Sequence, residues 1–497
     1  MRLRARRGAA VPRVFKKATT PCPRAHKKLF TSVPKCGIID SVKAGVFMLM
    51  TKDKQFYKSL LLLSIPIVLQ NLVTFSVGFA DNLMIGSLGD SAVSGVYMGN
   101  QIQTVLQVLS GGIEGGILLL SAQYWGRKDC DAIRKIVSVG LRFSIVVGLF
   151  FTVVCALFPR FVLSIFTDKA DVIAGGVEYL SVVCFSYLFF CITQAMIASM
   201  RSVETARIGL WVSLCSLVIN VALNYILIFG KLGLPAMGVR GAALATLISR
   251  IVETVIIVFY VRRIDRKLCY RFRELLRTDR GLLRDFIRYG MPIMAGQLVW
   301  GANLMGNSII LGRFSEGVIT AASLANTANS MMYVSMNGLS AAVGIIIGKT
   351  VGAGLLNKIR EYSNTVQILF LGLGLLCGGF FFIIRDPFIS LYNISDEAIF
   401  YARQFIGVLC FTRIGTCYEC GCLFGLVKSG GDVSFVFKND TIFVFGVVLP
   451  SAIITALLGC PPWVVFLCLK SDQILKCVVA FFKIRRYNWM KNLTRES

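Results

Sequence analysis

Residues 59–85 read SLLLLSIPIVLQNLVTFSVGFADNLMI and contain a single charged side chain, Asp81. A helix rises about 1.5 Å per residue, so a run of this length crosses a hydrocarbon core of about 30 Å. Similar apolar runs recur along the rest of the chain. The sequence therefore predicts an all-α polytopic membrane protein.

Composition supports this fold class. Of the 497 residues, 56% are hydrophobic and 16% are charged, whereas a soluble domain carries about 25% charged residues. The formal net charge of +27 invites a nucleic-acid partner, but Lys and Arg lie between the apolar runs, as in cytoplasmic loops. We expect the lipid bilayer as a partner of this chain and no nucleic-acid partner.

The 16 Cys residues lie mostly within apolar runs, where thiols act as small hydrophobes. They imply no disulfide framework.

The apolar runs define twelve predicted spans, each taken as a continuous helix because a bilayer satisfies no backbone polar groups. The spans are 59–85, 92–122, 136–158, 173–200, 208–230, 238–261, 286–312, 318–348, 363–385, 398–427, 434–457 and 463–484. Lys and Arg concentrate in the even-numbered connections and in the C-terminal tail. By the positive-inside rule, both termini lie in the cytoplasm. We expect a multi-pass protein of the cell (plasma) membrane.

Residues 1–50 form a basic N-terminal tail that differs from the rest of the chain. Asp40 is the one acid before Met48, and no apolar stretch of secretory-signal length follows the basic residues. We expect the true start at Met48 or Met50, with the upstream stretch a gene-start error or a disordered tail. An organellar transit peptide is the alternative, because such peptides are rich in Arg and poor in acids.

The chain also repeats itself. Five anchors recur in the same order in both halves, at offsets of 226 to 228 residues. They are Pro66 and Pro292, Ile85-Gly86 and Leu311-Gly312, Gly126 and Gly352, Pro159 and Pro387, and Arg201-Ser202 and Lys428-Ser429. Each half holds six spans, so both halves enter the membrane in the same direction. We divide the chain into an N-lobe (51–261), a cytoplasmic linker (262–285) and a C-lobe (286–497), with the substrate site between the lobes.

Span 1 carries a polar stripe. Gln70, Thr74, Gly78 and Asp81 follow one another at spacings of four, four and three residues, which places them on one helix face. Pro66, like Pro292 in span 7, removes a backbone donor and can kink its helix, which suits a gate. Asp81 is either a cation-coupling carboxylate at such a gate or a solvated structural residue near the helix end.

Polar residues in spans 2 and 5 are further candidates. Asn220 and Asn224 share a face of span 5, and their amides need partners. They either complete an ion site with Asp81 or hold helices together. Glu114 lies deep in span 2 between two Gly-Gly pairs and contacts either substrate or a neighbouring backbone.

Charged pairs occur in the last span of each half. Arg250 and Glu253 are three residues apart, and Asp472 and Lys476 are four apart, so each pair can form along its helix. Arg250 and Lys476 differ by 226 positions and so are repeat equivalents. We read both pairs as intramembrane ion pairs with a structural role, and gating is the alternative.

Span 10 contains two further charges. Arg413 and Glu419 are six residues apart and do not share a face, so each needs a partner elsewhere. Glu419 is a candidate for binding cations. We interpret the nearby cysteines as small packing residues and expect no metal site.

Signals of enzymatic activity are weak. The one His, His26, lies in the N-terminal tail, and no Walker A loop is present. The sequence therefore predicts a transporter driven by an ion gradient, with no cofactor and no catalytic residue.

Several segments resemble the multidrug and toxic compound extrusion (MATE) exporters from about residue 52 to the C-terminus. The matching segments are Pro66 with GFAD (78–81) and IGSLG (85–89), SAQYWG (121–126), NVALNYILIFG (220–230), GVRGAA (238–243) and KSGGD (428–432). The resemblance implies two six-helix lobes, alternating access, and antiport of organic cations, drugs or related amphiphiles against H⁺ or Na⁺.

The resemblance also assigns residues. Asp81 and Asn220 match family residues of a cation-coupling site. Asn224 stands where many members carry aspartate, which removes one charge. Residues 293–307, after Pro292, contain no carboxylate, unlike one sodium-driven branch, so protons are the favoured ion.

Three rival functions remain. A lipid-linked oligosaccharide flippase of the same superfamily is the nearest, although such proteins typically have more spans and a basic cavity. A receptor or channel fits the duplicated halves less well, and a membrane enzyme lacks a nucleophile–base constellation. We expect a monomer that binds a small-molecule substrate in an apolar, aromatic pocket.

Overall fold

The computed structural model describes residues 50–88, 90–167, 170–277, 279–392 and 394–495. Most of the predicted N-terminal tail lies outside these residues. Within them the secondary structure is helical, with no strand. The predicted all-α fold class is confirmed.

Helices of the first half form spans 1 to 6. They are Lys54–Gly86, Asp90–Gly126, Cys130–Leu157, the pair Ala170–Val183 and Ser186–Ser202, Arg207–Phe229, and Gly238–Phe259. A short helix, Pro159–Ser164, follows span 3, and a π-helical turn, Tyr260–Ile264, continues span 6. A 3₁₀ turn, Phe272–Leu276, lies in the segment between the halves.

Helices of the second half form spans 7 to 12 in the same order. They are Arg280–Leu311, Glu316–Gly352, Leu356–Ile389, Asp396–Glu419 with the π segment Cys420–Lys428, Val433–Phe443 with Val444–Val448 and Leu449–Leu457, and Pro462–Leu469 with Asp472–Arg485. In the described ranges, nine spans and one bent pair are long and apolar enough to cross a membrane. Spans 7 and 12 complete the twelve by their place in the repeat.

Several spans are not the continuous helices that the sequence predicts. Span 4 bends by 54° between Val183 and Ser186. The Thr152 hydroxyl donates a hydrogen bond of 3.0 Å to the Cys184 carbonyl oxygen at this break, which satisfies a backbone group that the bend frees. In span 11 a π segment, Val444–Val448, comes just before Pro450, which provides no N–H for a regular turn. Pro66 and Pro292, in contrast, lie inside uninterrupted helices.

The two halves meet at the end of the bundle that carries the basic connections, which we call the basic end. Span 2 crosses span 8 here, and Gly126 and Gly352 allow the helix backbones to touch. A salt bridge of 2.8 Å joins Lys349 to Glu204 across the halves. In the first half, span 5 packs against spans 1 and 6, and in the second half span 10 packs against span 12.

Candidate functional site

A carboxylate and two amides meet where span 1 packs against span 5. The Asn224 side-chain amide donates hydrogen bonds to the Asp81 carboxylate and, at 3.1 Å, to the Asn220 side-chain oxygen. Asn220 is 1% exposed and Asn224 is fully buried. The packing of span 1 against span 5 thus brings Asp81 and the two asparagines into one cluster, which we call the Asp81 site.

One oxygen of the Asp81 site is unused. The buried side-chain oxygen of Asn224 accepts no hydrogen bond from any described residue. Carboxylate and amide oxygens are the ligands that hard cations prefer. The Asp81 site therefore has the donor chemistry for a small cation or a transferred proton.

A cation from span 6 faces the Asp81 site. Arg250 forms a hydrogen bond of 2.8 Å with Glu253 on its own helix, and its guanidinium lies 5.1 Å from the centre of the Phe190 ring. Arg250 is also close enough to act electrostatically on Asp81. The Arg250–Glu253 pair thus lies beside the Asp81 site and holds a positive charge near the carboxylate.

The rest of the polar stripe lies in a helix interface. The Gln70 side-chain oxygen accepts a hydrogen bond of 2.8 Å from Arg201, and the Thr74 hydroxyl donates to the Gln70 carbonyl oxygen at 3.0 Å. Gln70 is 4% exposed and presses against Gly209 of span 5. In this conformation Gln70 is inaccessible to a substrate, and its substrate role stays a prediction.

Glu114 lies near the same arginine. The Ser110 hydroxyl donates to Glu114 at 3.3 Å, and Arg201 acts on Glu114 through its charge. Glu114 and Arg201 therefore form a second buried polar group in the first half, between spans 2 and 4.

In the second half, three carboxylates surround one ammonium group. Lys476 lies 3.1 Å from Glu419, 3.0 Å from Asp440 and 3.0 Å from Asp472. The four side chains, which we call the Lys476 quartet, are each no more than 13% exposed. With every carboxylate ionised, these four groups would carry two excess negative charges in a buried place, which is costly. The quartet therefore suits binding of a proton or a cation.

Sequence analysis missed Asp440 and Arg201. Asp440 lies within the predicted eleventh span, where a carboxylate is rare, so its position alone could have marked it as a candidate site residue. Arg201 lies just after the predicted fourth span (173–200), although its side chain turns into the bundle to reach Gln70. The described residues contain no cluster with the ligands of a metal centre.

The fold and these sites define a class: a duplicated helical membrane transporter with ionisable groups buried in each half. Its family follows from comparison. The MatE family matches residues 66–226 and 292–454, and the chain belongs to this family of MATE transporters.

Relatives agree with this assignment. A probable multidrug resistance protein NorM of Agrobacterium fabrum is 26% identical over 342 residues, which is 69% of this chain and 73% of the relative. A second NorM, from Halalkalibacterium halodurans, is 24% identical over 80% of this chain and 87% of its own length.

A solved structure shares the fold. The crystal structure of a variant of the Vibrio cholerae MATE transporter VcmN superposes with a TM-score of 0.81. The match has 16% sequence identity and covers 88% of this chain and 98% of the Vibrio chain. It supports twelve spans in two lobes.

Proposed function

We propose that this protein is a secondary active antiporter that exports organic cations, drugs or related amphiphiles in exchange for H⁺ or Na⁺. The observation that carries the proposal is the Asp81 site, a carboxylate held within a span by Asn224. A charge in this position is costly and usually serves transport. The names of the NorM relatives, which refer to multidrug resistance, support a broad range of small-molecule substrates.

Asp81 exchanges the coupling ion in this proposal. The ion binds when the Asp81 site is open to one side of the membrane and leaves when it opens to the other. Asn220 and Asn224 orient the carboxylate, and Arg250 holds a counter-charge nearby. A proton is the favoured ion because Asn224 supplies no second negative charge to this cluster.

The Lys476 quartet is the second candidate for ion exchange. Glu419 shares Lys476 with two other carboxylates, so a proton or cation that enters would offset their mutual repulsion. Pro66 and Pro292 occupy equivalent positions in spans 1 and 7 and are the proposed bending points of alternating access. We further propose a monomer in the plasma membrane, with cytoplasmic termini and no cofactor.

Efflux of a fluorescent cationic dye tests the proposal. Cells that lack their own exporters would carry the wild type or Asp81→Asn, and the proton and sodium gradients would be collapsed separately. We expect the wild type to export dye and to depend on one of the two gradients. At equal expression, Asp81→Asn should export dye at least tenfold more slowly, which corresponds to about 1.4 kcal/mol.

Asp386→Asn is the matched control because Asp386 is half-exposed and pairs with Arg385 and Arg403, which belong to neither site. It removes the same charge and should transport normally. A correctly inserted wild type that moves no dye under any gradient would refute polyspecific export and favour a narrow substrate or a lipid flippase.

A further inference from the structure

Three arginines form a stripe at the start of span 7. Arg280, Arg284 and Arg288 are exposed and four residues apart, so they lie on one helix face. Together with Leu283 and Ile287 they line an open cleft of about 470 Å³. We call these three residues the arginine stripe.

The arginine stripe has no acidic partner. Within the described ranges no carboxylate lies within ion-pair distance of any of its three members, and Arg288 alone has a ring contact, 5.7 Å from the centre of Tyr289. The neighbouring acid Asp285 is already paired with Arg495 at 2.6 Å, and Asp279 caps the helix by accepting from two backbone amides. Three positive charges thus remain available for an anion.

The same helix face continues as apolar surface. Met291 is 58% exposed and Leu298 is 51% exposed, and at about 100° per residue both lie within an arc of about 80° that includes the arginine stripe. The opposite face, with Phe286 and Ile293, is buried against the bundle.

The dimensions match one leaflet of a membrane. From Arg288 to Leu298 the helix rises about 15 Å, which is half of a hydrocarbon core of about 30 Å. A phospholipid has the same order of groups, with an anionic headgroup above apolar chains. A soluble phosphate would use the arginine stripe and leave the apolar surface below it without a partner.

We propose that the arginine stripe binds the phosphate-bearing headgroup of an anionic phospholipid whose acyl chains lie along Met291 and Leu298. Guanidinium groups suit this role because they donate paired hydrogen bonds to phosphate oxygens. The inference is independent of the transported substrate and of the coupling ion.

Lipid binding by the purified full-length protein tests the site. Titration with fluorescently labelled phosphatidylglycerol in detergent would be compared with phosphatidylcholine, and unlabelled inorganic phosphate would be added as a competitor. In the variant Arg280→Gln/Arg284→Gln/Arg288→Gln we expect a loss of about fivefold for each arginine, on the order of a hundredfold together.

The control removes the same charge elsewhere. Arg262, Arg263 and Arg266 are exposed in the segment between the halves, and changing all three to Gln should alter phosphatidylglycerol affinity less than fivefold.

Because the Gln variant of the arginine stripe can fail to fold, a variant in which its three arginines are changed to Lys is measured as well. It keeps the charge but loses the paired hydrogen bonds, and should bind with intermediate affinity.

The outcomes separate the sources of anion. Selective loss in the stripe variants, with no competition by inorganic phosphate, supports the lipid site. An equal loss of phosphatidylglycerol affinity in both Gln triple variants would show that the affinity reflects overall positive charge and not this site. Full competition by inorganic phosphate would show that the arginine stripe binds soluble anions. Wild-type affinity in the Lys and Gln stripe variants would also overturn the proposal.

Discussion

Gly126 and Gly352, which are 226 residues apart in sequence, lie at one crossing of spans 2 and 8, where neither position has room for a side chain. A methyl group on Gly126 would overlap the Lys349 carbonyl oxygen, and one on Gly352 would overlap the Gln123 carbonyl oxygen. Gln123 and Lys349 are themselves 226 residues apart. The contact is therefore reciprocal, and the pseudo-twofold axis that relates the two halves passes through it.

Gly126→Ala and Gly352→Ala should each push spans 2 and 8 apart at the basic end. Because the clash is with backbone atoms, overpacking should cost about 1–3 kcal/mol, and the two variants should lower the melting temperature of the purified protein by similar amounts. Gly301→Ala is the control, since no atom lies within 4 Å of a methyl group there. A melting temperature unchanged in both variants would contradict this account of the crossing.

The sequence predicted this repeat but not its contact. Hydrophobic runs locate the spans because burial in lipid demands about 20 apolar residues, and residue spacing shows which side chains share a helix face. Spacing does not show which other helix that face meets. The Asp81 site was therefore one of two open alternatives, and Asp440 was absent from the predicted partners of Lys476.

The sequence pattern also did not predict the breaks within spans. At the bend after Val183, the Thr152 hydroxyl of a different span donates to the backbone, and such a tertiary hydrogen bond has no local signature. Pro66 lies inside an uninterrupted helix in this conformation, and its role as a bending point stays a prediction.

Removal of the amide that contacts Asp81 should impair export more than removal of its neighbour. Asn224→Ala deletes the donor to the carboxylate, whereas Asn220→Ala deletes an acceptor of the same amide. Dye efflux at equal expression should fall about tenfold or more in Asn224→Ala, since a hydrogen bond to a charged group contributes about 1.5–3 kcal/mol. A larger loss in Asn220→Ala would show that our order of contacts in the Asp81 site is wrong.

Loss of the ammonium group should destabilise the Lys476 quartet. Lys476→Met leaves three buried carboxylates without their shared partner, at a cost of about 3–5 kcal/mol, and should lower the melting temperature markedly. Adding Glu419→Gln, Asp440→Asn and Asp472→Asn removes the uncompensated charge and should restore much of the loss.

Lys470→Met provides the comparison for this experiment. Lys470 is also buried, at 7% exposed, but in the described part of the chain it has a ring contact with Phe466 and no ion pair. Its replacement should change the melting temperature less than Lys476→Met. Equal effects would indicate that any buried lysine matters here, regardless of its carboxylates.

Asp432 anchors the C-terminal segment 487–495, which bridges the two halves at the basic end. Asp432 pairs with Lys483 at 2.7 Å and with Lys491 at 2.8 Å, while the Leu493 amide donates to Gln123 of the first half at 2.8 Å. Asp432→Asn should therefore loosen this segment, and limited proteolysis at pH 7 should cleave it faster than in the wild type.

The pH dependence of this anchor follows from the Asp432 carboxyl, which lies in the turn before span 11. Burial raises its pKa, but hydrogen bonds from Lys483 and Lys491 outweigh burial and leave the pKa below the ordinary value. Because the pKa is lowered in the folded state, the ionised carboxylate stabilises the fold at pH values above the unfolded pKa of about 3.9. This contribution disappears as the pH falls through the folded pKa.

Wild-type cleavage should thus be constant from about pH 5 to 8 and rise only in stronger acid. Asp432→Asn should remove that rise, because it has no carboxyl to protonate, and an acid-induced rise of the same size in the variant would place the titrating group elsewhere.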